Sequence, residues 1–198
     1  MAPKILAITG SYRRDGIIET AVEAILAGAQ AAGAETSIIR LMDHHLEFCS
    51  NCRTCTQDPG ARRGPCVQDD ELEEILVKVD EADGLVLGAP VNFFNVSAVF
   101  RRFLERLVGF VYWPWGQPGP SVRDKRLPRK SVLVASSAMP GLFLPLATGA
   151  PRALKTASKI LGARPIGTLW IGTSANEPHH ALPSKTITKA GRLGRNLV

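Results

Sequence analysis

The feature that most constrains this chain is a regular alternation between two kinds of apolar segment. The shorter kind is a nearly continuous apolar run, which is typical of a strand buried on both faces of a sheet. The longer kind repeats its apolar residues at helical spacing, which is typical of a helix with one face on a core. Strands that alternate with helices predict a parallel sheet covered on both sides and connected by right-handed crossovers.

The pattern predicts an α/β three-layer sandwich with a five-stranded parallel sheet. We expect a single domain over 1–198 that carries two long loops, at 44–68 and 110–130. The strands are predicted at Lys4–Gly10, Glu35–Leu41, Gly84–Pro90, Ser131–Ala138 and Pro165–Gly172. The helices are predicted at 16–32, from a cap at Asp70 through Val79, and at 97–109, 150–162 and 181–196.

Length and composition agree with one globular domain, because 198 residues with 45% hydrophobic content can bury a sizeable core. No apolar run approaches the ~20 residues of a membrane span, and the amino terminus lacks a signal-peptide pattern. We therefore expect no membrane span and a cytoplasmic location. The net charge of +6 comes from basic clusters at 123–130 and 185–195. These clusters are more typical of a solvated surface, and attraction of anionic nucleotides is the functional alternative. We expect no nucleic-acid partner.

The loop after the first strand, Gly10–Gly16 (GSYRRDG), has the composition of an anion site. It lacks the G-x-G-x-x-G pattern of dinucleotide-binding folds and the Gly-Lys-Ser/Thr of ATP-binding loops. It does place Ser11 and Arg13 ahead of a helix amino terminus, where backbone N–H groups and the helix dipole favour a phosphate. The alternative is a plain turn that uses serine and glycine for local geometry.

Two further strand ends belong to the same edge of the predicted sheet. Residues 89–97 (APVNFFNVS) follow the third strand, and residues 136–141 (SSAMPG) follow the fourth. Because ligands of open α/β sheets bind at the carboxyl ends of the strands, we expect the three loops to converge there. Together they can hold a phosphate and a flat polar ring.

The motifs G-S-x-R-x-x-G after the first strand and A-P-V-N-F-F-N-V-S after the third resemble those of the flavodoxin-like NADPH-dependent FMN reductase family. That family includes quinone reductases and iron–sulfur flavoproteins, and the similarity extends from Lys4 to about Arg195. The resemblance implies a flavodoxin-like fold, FMN as cofactor, NAD(P)H as co-substrate, and assembly as a homodimer or homotetramer. One departure is that Ile17-Ile18 follows Gly16, where the family usually has Asn-Thr.

The resemblance also implies the cofactor-binding residues. No dedicated catalytic acid or base is expected, because a flavin carries out hydride and electron transfer itself. By resemblance, the FMN phosphate is held by Ser11 and Arg13, the isoalloxazine ring is lined by Pro90, Val91, Asn92 and Phe93, and its pyrimidine edge is flanked by Ser136 and Ser137.

All four cysteines, Cys49, Cys52, Cys55 and Cys66, fall within the first long loop. Three cysteines at x2-x2 spacing and then a Pro-Cys pair resemble the cysteine run of bacterial [4Fe–4S] ferredoxins, with a longer last gap. Coordination would also remove the repulsion between thiolates placed so closely. A [4Fe–4S] cluster is one interpretation, which the resemblance to iron–sulfur flavoproteins repeats. Structural zinc and redox-active or merely structural thiols are the others.

These features predict an FMN-dependent oxidoreductase that passes electrons from NAD(P)H to a quinone or another small acceptor. One alternative is an iron–sulfur flavoprotein that carries electrons to a redox partner protein, and another is a non-enzymatic flavin- or nucleotide-binding protein. The histidine pairs His44-His45 and His179-His180 are more typical of solvated loops than of metal ligands. The aromatic residues 112–115 are expected at a subunit interface rather than over the flavin.

Overall fold

A computed structural model describes residues 1–60, 62–173 and 181–198. The strands are β1 (Lys4–Thr9), β2 (Glu35–Arg40), β3 (Gly84–Asn92), β4 (Asn95–Val96), β5 (Val111–Tyr112), β6 (Ser121–Val122), β7 (Arg129–Ser136) and β8 (Ala163–Ile171). The α-helices are α1 (Ile17–Gln30), α2 (Leu72–Glu81), α3 (Ala98–Arg106), α4 (Leu144–Ala147), α5 (Ala150–Ile160) and α6 (Ser184–Arg195).

Five parallel strands form the central sheet in the order β2-β1-β3-β7-β8. Counted among these five alone, the order is 2-1-3-4-5, which is the doubly wound order of flavodoxin-like folds. The short strand β4 pairs with the end of β3 in antiparallel fashion, and β5 pairs with β6 in a separate hairpin. The predicted α/β sandwich with a five-stranded parallel sheet is confirmed.

Some predicted boundaries are corrected. The stretch 110–130 contains the β5–β6 hairpin and the start of β7, although it was predicted as a loop. These strands have only two residues each, too few for any periodic pattern. Asp70 is not the N-cap of α2, a position that Glu71 occupies. A carboxylate oxygen of Asp70 still accepts a hydrogen bond from the backbone N–H of Leu72 at 3.1 Å.

Two apolar cores cover the two faces of the sheet. On one face α2, α3 and α5 pack on the strands, and the buried rings of Phe100 and Phe103 meet edge to face with centroids 6.1 Å apart. On the other face lie α1 and α6, with Val22 and Ile25 fully buried. The apolar faces of these helices, which the periodic pattern of the sequence predicts, therefore pack against the two faces of the sheet. Within the described residues, no helix combines the length and apolar character needed to cross a membrane.

Glycines let α6 lie directly against α1. A Cβ at Gly28 would overlap the carbonyl oxygen of Gly191, and a Cβ at Gly194 would overlap that of Ile25. Only glycine permits two helix backbones to approach this closely. The contact fixes the position of α1, whose amino terminus lies at the carboxyl edge of the sheet.

Candidate functional site

A cavity of about 1190 Å³ lies at the carboxyl ends of β1, β3 and β7. The loop after each of these strands lines it, as expected for this strand order. The structure brings together seven of the eight residues predicted to bind the cofactor: Ser11, Arg13, Pro90, Val91, Asn92, Ser136 and Ser137.

The loop between β1 and α1 forms one end of this cavity. Its turn is stabilised by Ser11, whose hydroxyl accepts from the backbone N–H of Arg13 at 3.2 Å and lies 3.0 Å from the Arg13 carbonyl oxygen. Gly16 is the N-cap of α1, and no side chain among the described residues caps this helix. The first-turn N–H groups of α1 therefore stay available to an anion, which the helix dipole also favours.

Ile17 and Ile18 contribute packing rather than polar contacts at this end. Ile18 is only 2% exposed and packs over Gly88 of β3, while Ile17 packs against the same core. The hydroxyl of Thr20 already donates to the Gly16 carbonyl oxygen at 3.2 Å. The loop therefore offers an anion its backbone N–H groups and the side chains of Ser11 and Arg13.

A buried carboxylate that is not among the residues predicted from the sequence supports this loop. Glu19, in the first turn of α1, is 1% exposed. One of its oxygens accepts from the Thr9 hydroxyl at 2.5 Å and the other from Nε of Arg40 at 3.1 Å. These bonds tie α1 to the ends of β1 and β2. The signal that could have indicated it is a charged residue at an inward-facing helix position.

Hydrogen bonds also join the loops after β1 and β3. The hydroxyl of Ser97, the N-cap of α3, donates to the carbonyl oxygen of Gly10 at 2.5 Å. The hydroxyl of Tyr12 accepts from the N–H of Ala98 at 3.1 Å. A Cβ at Gly10 would lie 2.6 Å from the Cβ of Phe100, so glycine is needed for this approach. The cavity walls are thus held in a fixed relation to the start of α3.

The eighth predicted residue, Phe93, lies outside the cavity at the tip of the β3–β4 hairpin. Phe93 and Phe94 form its two-residue turn, and both have positive φ, 47° and 66°. Phe93 is 98% exposed. Asparagine and glycine adopt this conformation readily, so two phenylalanines here store backbone strain. The contact of Phe93 with a flavin ring stays a prediction.

A further wall of the cavity was missed by sequence reasoning. It consists of Ala181, Leu182 and Ile187, at and just before the start of α6. Their position depends on the packing of α6 on α1, which is a contact between distant parts of the chain. No local pattern in the sequence indicates it.

The four cysteines line a second, smaller cavity of about 230 Å³. Cys55 is buried, Cys49 is half-buried, Cys52 and Cys66 are exposed, and all four are free. Burial raises the pKa of the Cys55 thiol, and negative charge on Cys66, Cys49 and Cys52 raises it further. The other three thiols therefore lie near enough to act on that of Cys55. Among the described residues, no three potential ligands converge closely enough to hold a single metal ion.

Backbone geometry gathers the cysteines around this cavity. Asn51 and Arg53, on either side of Cys52, have φ values of 55° and 60°. After the long gap the chain returns through Gly64, where a Cβ would overlap the carbonyl oxygen of Cys55. The N–H of Gly64 donates to the carbonyl oxygen of Gly109 at 2.8 Å. This contact is why Cys66 faces the same cavity as the first three cysteines.

A buried ion pair between Asp70 and Arg106 borders the cysteine cavity. Both side chains are 1% exposed. Burial alone would raise the pKa of Asp70, but hydrogen bonds from Arg106 and from the backbone N–H groups of Glu47 and Leu72 hold it below its ordinary value. Nη2 of Arg106 also donates to Sγ of Cys66 at 3.3 Å.

The tryptophans of the second long loop hold the cysteine loop. The guanidinium carbon of Arg53 lies 3.8 Å from the ring centroid of Trp113 and 4.1 Å from that of Trp115. The carbonyl oxygen of Trp113 accepts from Arg53 at 2.5 Å and from the Thr56 hydroxyl at 3.1 Å. Trp113 and Trp115 therefore contact the segment around Cys52 and Cys55 of the same chain.

The remaining predicted features lie apart from both cavities or serve as supports. His44 and His45 lie 3.0 Å from carboxylate oxygens of Glu71 and Glu47 respectively, and His179-His180 falls outside the described residues. In the basic cluster, Arg129 donates to the Leu161 carbonyl oxygen at 3.0 Å. Part of that cluster is therefore engaged with the protein backbone.

The strand order and the cavity at the strand ends define a flavodoxin-like α/β protein. The chain belongs to the NADPH-dependent FMN reductase family, whose model matches residues 3–168. The family inferred from the two loop motifs is thereby confirmed.

Curated relatives share part of the chain. An iron–sulfur flavoprotein of Methanocaldococcus jannaschii is 37% identical over 103 residues, which are 52% of this chain and 51% of the relative. An iron–sulfur flavoprotein of Archaeoglobus fulgidus is 29% identical over 111 residues, 56% of this chain and 48% of the relative. The chain spans about half the length of the curated relatives it matches.

Solved structures share the fold over nearly the whole chain. An NAD(P)H:quinone oxidoreductase from Methanothermobacter marburgensis aligns with a TM-score of 0.71 at 16% identity and covers 100% of both chains. An FMN-dependent NADH-azoreductase of Bacillus anthracis, solved in complex with FMN, aligns with a TM-score of 0.66 at 12% identity and covers 98% of this chain and 96% of its own. At these identities the likeness is one of fold.

Proposed function

We propose that this protein is an FMN-dependent oxidoreductase that passes electrons from NAD(P)H to a quinone or another small acceptor. The observation that carries the proposal is the convergence of three strand-end loops on one cavity, with seven of the predicted cofactor-binding residues in its lining. Membership of the NADPH-dependent FMN reductase family supports it.

The lining residues fit the two ends of FMN. At one end, Arg13 and the uncapped amino terminus of α1 provide positive charge and N–H donors for the phosphate. At the other end, Pro90 and Val91 offer an apolar surface, and Asn92 offers an amide, to a flat ring that carries polar edges. Bound FMN would supply the hydride and electron transfer. The residues of the chain then have to bind and orient it, which requires no side-chain acid or base.

A second candidate function is an electron-transfer carrier with a [4Fe–4S] cluster on Cys49, Cys52, Cys55 and Cys66. The specific observation is that all four cysteines line one cavity. One zinc ion draws its sulfur ligands to about 2.3 Å from a common centre. A [4Fe–4S] cluster instead binds one cysteine sulfur at each of its four irons, and the x2-x2 spacing followed by a Pro-Cys pair favours it over zinc. The names of the curated relatives support the same choice.

We also propose that the chain assembles as a homodimer or homotetramer through an exposed apolar patch formed by the β3–β4 turn and residues 142–146. Five large apolar side chains are exposed on two neighbouring segments of the chain. A hydrogen bond joins these segments, because the Gly149 N–H donates to the Phe94 carbonyl oxygen at 2.8 Å. Contiguous exposed apolar residues are typical of interaction surfaces. They are Phe93, Phe94, Leu142, Phe143 and Leu146.

Anaerobic purification separates the candidates. FMN in the visible spectrum, bleached rapidly by NADPH and accompanied by no iron, supports the reductase with a small acceptor. Iron and acid-labile sulfide near four per chain, as a [4Fe–4S] cluster requires, support the carrier. A colourless protein that does not take up added FMN would contradict both and leave a non-enzymatic nucleotide-binding protein.

A further inference from the structure

The guanidinium of Arg106 reaches the cysteine cavity from the last turn of α3. Its Nη2 donates to Sγ of Cys66 at 3.3 Å, and its Nη1 donates to the carbonyl oxygen of Glu47 at 2.7 Å. Both nitrogens also bond to the carboxylate of Asp70. A buried cation is therefore fixed beside one of the four sulfurs.

The other cations near this cavity are turned to other partners. Arg63 pairs with Glu73 and Asp80, and Arg53 lies between the two tryptophan rings. The hydroxyl of Thr54 donates to the sulfur of Cys52 at 3.4 Å, but that contact is exposed and neutral. Arg106 thus combines burial, charge and a hydrogen bond to a cysteine sulfur.

We propose that Arg106 is a positioning residue that raises the reduction potential of the iron–sulfur centre held by the four cysteines. The inference rests on the second candidate function above. A hydrogen bond from a buried cation withdraws electron density from the Cys66 thiolate and favours the more negatively charged, reduced state of the centre. Hydrogen bonds to the sulfurs and local charge are recognised determinants of such potentials.

Asp70 has a separate role in this arrangement. It holds both terminal nitrogens of Arg106, so the remaining N–H on Nη2 is directed at Cys66. Removing either partner alone would leave an unpaired buried charge, which is strongly destabilising. Replacing both by apolar side chains of similar volume is often neutral for stability. The double variant Arg106→Met/Asp70→Leu is therefore the informative one.

The test compares that double variant with Arg101→Met/Glu105→Leu. The control removes an ion pair of the same charge from the same helix, but from an exposed i,i+4 position. Both variants and the wild-type full chain are reconstituted with iron and sulfide anaerobically and titrated with reductant while the paramagnetic signal is followed. We expect full iron content in all three. In the Arg106→Met/Asp70→Leu variant, we expect the equilibrium constant for reduction to fall about tenfold. This corresponds to a reduction potential about 59 mV more negative for one electron.

Each outcome is decisive. If every variant binds iron and the reduction potential is unchanged in the double variant, the role of Arg106 is overturned but the cluster is retained. Absence of iron from reconstituted wild-type protein overturns the cluster, and this inference with it. If the double variant fails to fold or to bind iron, Arg106→Lys provides the decision, because it retains a cation for Asp70 but loses the planar fork. A more negative potential in Arg106→Lys supports the proposal, and an unchanged one overturns it.

Discussion

Arg13 is the residue on which we expect phosphate recognition at the larger cavity to depend most. It is exposed, it lines the cavity, and it follows the serine that shapes the loop. Its neighbour Arg14 has the same charge but pairs with Asp43 at 2.7 Å. The two arginines therefore form a matched pair for mutation.

We expect Arg13→Met to weaken FMN binding about tenfold or more, because hydrogen bonds to charged groups contribute about 1.5–3 kcal/mol. Binding of riboflavin, which lacks the phosphate, should not change. Arg14→Met should have a smaller effect on FMN. Isothermal titration of the apo-protein with both flavins measures this, and an equal loss for the two flavins would count against a phosphate role.

The turn formed by Phe93 and Phe94 gives a second prediction at this scale. Replacing Phe93 by Asn and Phe94 by Gly suits the positive φ of both positions and should raise the free energy of unfolding by about 1 kcal/mol. The same variant should weaken self-association, because it removes two aromatic rings from the proposed interface.

The control for this variant is Leu142→Asn, which removes an exposed apolar side chain from the same patch at a residue without positive φ. It should weaken association without a gain in stability. Chemical denaturation and sedimentation measure the two effects separately. If the Phe93→Asn/Phe94→Gly protein is less stable than wild type, the contacts of the two rings stabilise the turn by more than the backbone strain destabilises it.

Among the elements, the pair α1 and α6 is the most sensitive to small changes. Gly194→Ala places a methyl group against the backbone carbonyl of Ile25, and a helix backbone cannot move aside as a side chain can. We expect the free energy of unfolding to fall by about 2–3 kcal/mol, even though alanine is the better helix former.

Gly119→Ala is the matched control, because nothing lies within 4 Å of a Cβ at that position. Its effect should stay within about 0.5 kcal/mol. Urea denaturation followed by circular dichroism compares the two variants. A Gly194→Ala protein as stable as Gly119→Ala would mean that α6 is not held against α1 by this contact.

The elements also show how far the sequence alone predicts the molecule. The five parallel strands and their helices were predictable because each buries enough apolar residues to leave a periodic pattern, as Val22 and Ile25 do in α1. The β5–β6 hairpin and α4 were missed, since they are too short for a pattern and depend on neighbouring segments.

The candidate site divides in the same way. The convergence of the three loops was predictable because the carboxyl ends of parallel strands lie at one edge of the sheet. The outward position of Phe93 follows from a positive φ that its residue type disfavours, and the contact of Arg106 with Cys66 joins residues 40 positions apart. Neither has a local signal in the sequence.

At the scale of the whole molecule, the two cavities depend on different parts of the structure. Both apolar cores lie against the sheet, and Cys55, the buried cysteine, belongs to neither. We therefore expect replacement of all four cysteines by serine to abolish iron binding while the fold and FMN binding persist. The cost at Cys55 should be about 1–3 kcal/mol, for burying a hydroxyl.

Iron analysis, far-ultraviolet circular dichroism and flavin titration of the tetra-serine variant measure this together. The single variant Cys52→Ser removes one proposed ligand at an exposed position, so its stability shows how much of the cost comes from the buried hydroxyl at Cys55. Loss of the fold in the tetra-serine variant alone would indicate that the cysteine loop contributes to folding, as ligand loops do in small metal-dependent domains.

The wall formed by Ala181, Leu182 and Ile187 bears on how the protein can be shortened. A chain cut after residue 173 would keep every strand of the described residues and the full segment that the family model matches, 3–168. It would nevertheless uncover the apolar side of α1 and open one side of the larger cavity. Boundaries drawn from the family match would therefore yield a fragment that aggregates and binds flavin poorly, so expression plasmids should retain the final helix.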